Sequence, residues 1–145
     1  MDNSEIEKRE RWLATLQQCY SSLFEEVSLY NINLPIGWSN IFEELLENIH
    51  RREIYLEFQK NKTLEEYRPV KVVQVKQKFG DFRFYYNGGN DDGISLLVSQ
   101  AEKLAEKTCE YCGSTTEDVK KRNIINWICT TCEECGLKLL NRFKR

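Results

Sequence analysis

The run Cys109-Glu110-Tyr111-Cys112-Gly113 and the run Cys129-Thr130-Thr131-Cys132, with sixteen residues between Cys112 and Cys129, decide how the C-terminal part of this 145-residue chain is built. Two C-x-x-C pairs at this separation have the spacing of a four-thiolate zinc site. Two intervening residues let one tight turn aim both sulfurs at one ion, and Gly113 supplies the conformational freedom such a turn uses. Sulfur-only coordination suits a tetrahedral, water-excluding, structural ion. The predicted ligands are therefore Cys109, Cys112, Cys129 and Cys132, and the predicted cofactor is Zn2+. Cys135, three residues past Cys132, is an alternative fourth ligand in place of Cys132, because a helical first turn also brings it within reach. A redox C-x-x-C is the competing reading of either pair, and two pairs at zinc spacing argue against it. Cys19, between Leu16 and Tyr20, reads as a small buried or half-buried hydrophobe.

Beyond the second pair, Leu137, Leu139, Leu140 and Phe143 predict a C-terminal helix whose first turn holds the second pair of ligands. A knuckle, a hairpin and ligands at a helix N-terminus resemble the treble-clef zinc fingers over residues 108–145, and the helix dipole there favours thiolate. The competing arrangement is a zinc ribbon, with both knuckles on hairpins.

Working back towards the N-terminus, Ile94, Leu97, Ala101, Leu104 and Ala105 predict a helix over 92–107, capped by Asp91 or Asp92. Before it, Val70, Val72, Val73 and Val75, then Phe82, Phe84 and Tyr86 across Phe79-Gly80-Asp81, predict a β-hairpin over 69–87. The break in alternation at Val72-Val73 fits a bulge or a strand end buried on both faces. A second helix is predicted over 40–58, with Ser39 or Asn40 as its cap, Ile41, Leu45 and Ile49 on one face, and Trp38 as a hydrophobic staple. Ser4 and Glu7 have the form of a capping box, and apolar residues from Ile6 to Tyr30 predict one long amphipathic helix over 5–29. The predicted class is α+β: a helical hairpin, a β-hairpin and a helix forming a body over 1–107, with a zinc-finger module over 108–145.

With 41% hydrophobic and 30% charged residues the chain is globular in composition. No long apolar run and no basic-then-apolar leader is visible, so a cytoplasmic protein away from the membrane is expected. Residues 1–66 carry 13 acidic and 7 basic side chains, whereas 67–107 and 108–145 each carry 7 basic and 5 acidic. Four thiolates on one zinc remove the small positive balance of the last segment, leaving no strong footprint for nucleic acid. A weak nucleic-acid contact through Lys120-Lys121-Arg122 and Arg142, Lys144 and Arg145 is the alternative function.

Catalytic constellations are missing. The first knuckle resembles that of HNH-type endonucleases, but their catalytic histidine has no counterpart near the finger, and the single histidine, His50, reads as part of a solvated helix face beside Arg51 and Arg52. No phosphate-binding glycine loop, nucleophile elbow or H-E-x-x-H helix occurs. A non-enzymatic role is expected.

The stretch Gln74 to Tyr86, together with the upstream Gly37-Trp38 and the C-x-x-C pairs, resembles a group of small bacterial and phage proteins over about residues 36–136. The resemblance implies a mobile-element context, and by analogy a protein that docks on a host protein such as a defence enzyme. The finger carries more apolar side chains than a metal-held module needs for itself. Trp127 and Phe143 are therefore the candidate partner-binding residues, and other apolar residues of the finger are expected to cover the helix of Ile94 to Ala105.

Overall fold

The computed structural model describes residues 3–59 and 66–143. Its elements are α1 (Asn3–Cys19), β1 (Ile32–Asn33), α2 (Ser39–Phe58), β2 (Lys71–Lys78), β3 (Asp81–Asn87), α3 (Asp92–Glu106), β4 (Lys120–Ile124), β5 (Trp127–Thr131) and α4 (Glu133–Phe143). The α+β class is as predicted, with the cysteine cluster at the C-terminal end.

β2 and β3 pair antiparallel, and the register slips between Val72 and Gln74, which places the predicted bulge at Val73. The bulge keeps Val70, Val72 and Val75 all buried although they do not alternate. Opposite Val75 lies Phe84, and Phe82 completes the apolar face; α3 packs on β3, and Phe42 of α2 meets the Phe84 ring. Trp38 meets Phe82 and Phe42 meets Phe24 edge-on, with ring centres 5.9 and 6.4 Å apart, so aromatic pairs fill the middle of the core. β1 adds a two-residue parallel strand beside β2, Ile32 facing Val75. A strand that short has no periodicity to read.

The first helix is shorter than its apolar pattern suggests: the predicted span 5–29 is corrected to Asn3–Cys19. Tyr20 leaves the helical region, and Ser21–Phe24 forms a 3-10 turn that carries Leu23 and Phe24 into the core. The Tyr20 amide closes the last turn on Leu16 O, and the Leu23 amide turns back to Tyr20 O, which starts the tighter turn. Tyr30, expected on the same helical face, is 96% exposed. Cys19 is also exposed, because the last turn of α1 presents it to solvent.

Two local expectations around α2 change as well. Neither Ser39 nor Asn40 caps it by a side chain; Ser39 Oγ donates back to Ile36 O at 2.8 Å. Trp38 is itself the residue at the N-cap position of α2 rather than the one before it, where a staple sits, and it is fully buried. His50 is exposed, with its ring edge-on to Tyr20.

Asp91 caps α3 as predicted, its carboxylate accepting from Ile94 N at 3.1 Å. The same carboxylate takes a two-pronged bond from Arg52 of α2, at 2.8 and 3.0 Å. Asp91→Ala is expected to lower stability by about 1–2 kcal/mol in urea unfolding. The Arg52 guanidinium, opposed by partial burial and helped by the Ile94 amide, holds the Asp91 carboxyl below the usual carboxylate range. A depressed folded pKa means that the contribution is present above the unfolded pKa of about 3.9 and is lost as pH falls through the lower folded value. The difference between wild type and Asp91→Ala should therefore shrink below pH ~4.

Candidate metal centre

Cys109 and Cys112 flank a knuckle closed by its own backbone. Gly113 N donates to Cys109 O at 2.9 Å and Cys109 N to Ser114 O at 2.8 Å. Gly113 sits at φ 76°, the left-handed conformation this turn requires. β4 and β5 follow as a hairpin whose two-residue tip, Ile125-Asn126, has φ of 50° and 66°. That is the twist a tight hairpin prefers, here imposed on a β-branched residue that ordinarily avoids it. α4 then starts at Glu133, whose amide donates to Asp118 Oδ2 at 2.7 Å, so a loop aspartate caps the helix from fifteen residues upstream.

Four thiols converge between the knuckle and the start of α4. The sulfurs of Cys109, Cys112, Cys132 and Cys135 lie within 4.8 Å of one another. Cys112 Sγ and Cys132 Sγ are 3.8 Å apart. Tetrahedral zinc with Zn–S bonds of about 2.3 Å sets neighbouring sulfurs about 3.8 Å apart, so the donor set fits that ion. The Cys135 amide points at Cys132 Sγ, 3.5 Å away, in the manner of the amides that support thiolates in such knuckles.

This set differs from the predicted one in a single member. Cys109, Cys112 and Cys132 are brought together, Cys135 joins them, and Cys129 stays outside the group. Cys129 lies in β5 opposite Arg122 and is fully buried, with its sulfur 3.8 Å from Arg122 O. The reason is the period of the backbone. In a strand, residues three apart point to opposite faces, so Cys129 and Cys132 diverge; across a helical first turn residues three apart share a face, so Cys132 and Cys135 converge. The alternative in which Cys135 replaces Cys132 does not describe the group either, since Cys132 belongs to both candidate pairs.

The thiols differ in their surroundings. The Ser114 hydroxyl and amide bring the Cys112 pKa down to about 6, whereas burial pushes Cys129 up to about 11 and also raises Cys109 and Cys135. Cys129 is thus a neutral, packed thiol. A metal ion ionises its own ligands, and four sulfur ligands leave no open coordination position for water or substrate. A metal held by these four sulfurs would have the closed coordination of a structural site.

The knuckle is also joined to the body at several points. Gly37 N donates to Glu110 O at 2.8 Å, and Trp38 Nε1 donates to Thr108 O at 2.9 Å. Glu110 is buried between the two knuckle cysteines, and desolvation raises its pKa. Its carboxylate accepts from Thr130 N at 2.9 Å and from Gln77 Nε2 at 3.1 and 3.2 Å. Gln77 Nε2 also donates to Ile128 O at 2.9 Å, and Thr130 Oγ1 to Gly80 O at 2.7 Å. The finger thus sits on the Gly37-Trp38 corner and the tip of the β2–β3 hairpin. α3 packs mainly on α2 and β3 rather than on the finger's hairpin or α4, which corrects the expectation that some of the finger's apolar residues cover the helix of Ile94 to Ala105. No sequence pattern marks Gln77 or Asp118 as part of the site; for Glu110 the one signal is an acidic residue inside a knuckle.

Trp127 is 56% and Phe143 58% exposed, and Ile125 and Leu137 are similarly open, while Ile124 is buried. Of the basic residues considered for nucleic acid, Arg122 is spent on Asp118 O and Thr131 O, and Lys121 pairs with Asp81. Arg142 is exposed, and Lys144 and Arg145 lie outside the described residues.

Among the described residues no helix is long and apolar enough to cross a membrane. Compared with family models, curated proteins and solved structures, the chain matches none.

Proposed function

We propose that this protein is a non-enzymatic zinc protein that docks on another protein, and that it is a phage-encoded inhibitor or modulator of a host defence factor. The observation that carries the metal part is the convergence of four thiols at a knuckle and a helix start. What supports docking is the set of large apolar side chains left open on the finger, Trp127 and Phe143 foremost, of the kind that anchors interfaces. The phage context rests on the hairpin and Gly-Trp resemblance.

A pull-down from bacterial lysate tests the docking. Trp127→Ala and Phe143→Ala remove exposed side chains, so each is expected to change stability by less than about 1 kcal/mol. Each is expected to weaken capture of the bound protein by at least roughly tenfold, as anchor residues do. Unchanged capture by both variants would move the interface elsewhere.

Affinity for generic duplex DNA is expected to be no tighter than roughly micromolar at physiological salt, since few free basic groups are clustered. Fluorescence anisotropy across a salt series checks this. A tight complex that weakens steeply with salt would favour the nucleic-acid alternative.

A further inference from the structure

A cleft of about 580 Å3 opens between α1, the loop before α2 and the metal knuckle. Its volume falls in the range of roughly 300–1,000 Å3 that holds small ligands and peptide side chains. Trp12, Leu34, Ile36 and Tyr111 form an apolar wall, and Lys8 and Arg9 stand along the same opening. Ile36 is 77% exposed, a large aliphatic side chain left on the lip with nothing over it.

The charges of the cleft are unevenly satisfied. Glu43 accepts from Trp12 Nε1, and Glu110 accepts from Gln77 and Thr130, so both carboxylates already have protein donors. Glu5 at the mouth is engaged as well. Arg9 is the opposite case. Among the described residues it makes no ion pair; one nitrogen of its fork, Nη2, serves two neutral acceptors, Ile32 O and Asn33 Oδ1, both at 3.2 Å. Partial burial lowers its pKa, the mark of a cation drawn out of water without an anion in return. The remaining donors of the fork are free for a planar, two-oxygen partner, which a guanidinium recognises better than an ammonium does.

We propose that this cleft binds an extended peptide segment in which a carboxylate adjoins apolar side chains, the carboxylate meeting Arg9 and Lys8 and the side chains lying along Trp12, Ile36 and Tyr111. A single carboxylate suits the cleft better than a polyanion, because Glu5, Glu43 and Glu110 line the same space and would repel a run of phosphates. The inference rests on the docking reading and gives it a ligand chemistry; Trp127 adjoins the cleft through Tyr111 of its wall, while Phe143 does not line it.

Trp12 lies in the wall and reports on occupancy through its indole Nε1–H resonance. The probes are N-acetyl-Leu-Leu-Phe with a free C-terminal carboxylate and the same peptide as its amide. The acid is expected to shift the Trp12 resonance saturably while the resonance of buried Trp38 stays in place. The amide is expected to bind at least roughly tenfold more weakly, the usual margin for a charge-assisted pair. Arg9→Gln should abolish the preference for the acid and Arg9→Lys should retain part of it. Lys8→Glu, at an exposed position, should weaken the acid several-fold even if Arg9→Gln disturbs the docking of α1. Equal binding of acid and amide, no shift of Trp12 by either, or an undiminished preference in Lys8→Glu would each overturn the proposal. If they do so while Phe143→Ala, away from the cleft, still impairs partner capture, the cleft is removed and docking through the finger stands; if neither Phe143→Ala nor Trp127→Ala impairs capture, both readings fall.

Discussion

Serine at Cys109 or at Cys132 is expected to release the metal and unfold at least the finger, and Cys135→Ser is expected to do the same. Each removes one of the four sulfurs that converge between the knuckle and α4. Structural zinc contributes on the order of 10 kcal/mol of coupled binding and folding free energy to small metal-held folds, far more than the finger's own packing supplies. Among the residues of α4 only Gly136 is buried, so little else holds that helix in place once its first-turn thiolates are free. Cys129→Ser separates this ligand set from the one that spacing alone suggests. Its sulfur lies outside the group, so that variant should keep one metal per chain and lose only about 1–3 kcal/mol, the cost of a hydroxyl in a buried apolar site. Metal content and near-ultraviolet circular dichroism of the four variants distinguish the outcomes. A Cys129→Ser protein without metal beside a metal-loaded Cys135→Ser would restore the other set.

Gly37→Ala is expected to be nearly as damaging, although Gly37 lies more than seventy residues before the first thiol and is not a ligand. A methyl group there would stand 2.1 Å from Cys109 O and 2.5 Å from the Glu110 carbonyl carbon, both of them backbone atoms of the knuckle. Backbone cannot swing aside as a side chain does, so either the knuckle backs away or the Gly37-Trp38 corner leaves the core. We expect a loss of about 3 kcal/mol or more in stability, together with weaker metal retention against a chelator, because the displaced atoms carry the first two ligands. Thermal unfolding and chelator competition check the two halves. Gly113→Ala is a less specific probe, since it strains the turn at φ 76° as well as approaching Gly37.

Much of the body was legible because its elements are long and periodic. The apolar face of α2, the valine and phenylalanine alternation of β2 and β3, and the aspartate before α3 each state their structure locally. Val27 and Tyr30 continue the spacing of α1 by coincidence, while its end is set by the backbone at Tyr20, which leaves the helical region, and a hydrophobic period does not register that.

The metal centre shows a related limit. Cys129, Cys132 and Cys135 form two overlapping C-x-x-C pairs, and spacing weighs them equally. What separates them is where strand becomes helix, at the step from Thr131 to Glu133, and boundaries of that kind are the least certain part of any reading of sequence. The joints between finger and body were less legible still, since they are long-range hydrogen bonds: Trp38 to Thr108, Gln77 to Glu110, Thr130 to Gly80. They give a physical account of two motifs on which the resemblance was drawn. Gly37-Trp38 and the Gly80 turn are where the body touches the knuckle and the finger hairpin, so these residues serve assembly around the metal centre.

Cys109, Cys112, Cys132 and Cys135 are expected to hold one zinc ion in the folded chain. Native mass spectrometry of the freshly reduced protein tests it directly, because the mass reports the metal and the charge-state distribution reports the fold in the same spectrum. The expected result is a compact, low-charge species heavier than the apoprotein by one zinc ion less the protons its thiols release, replaced on chelation by a metal-free species of higher charge. A compact species at the apoprotein mass, unchanged by chelator, would contradict it.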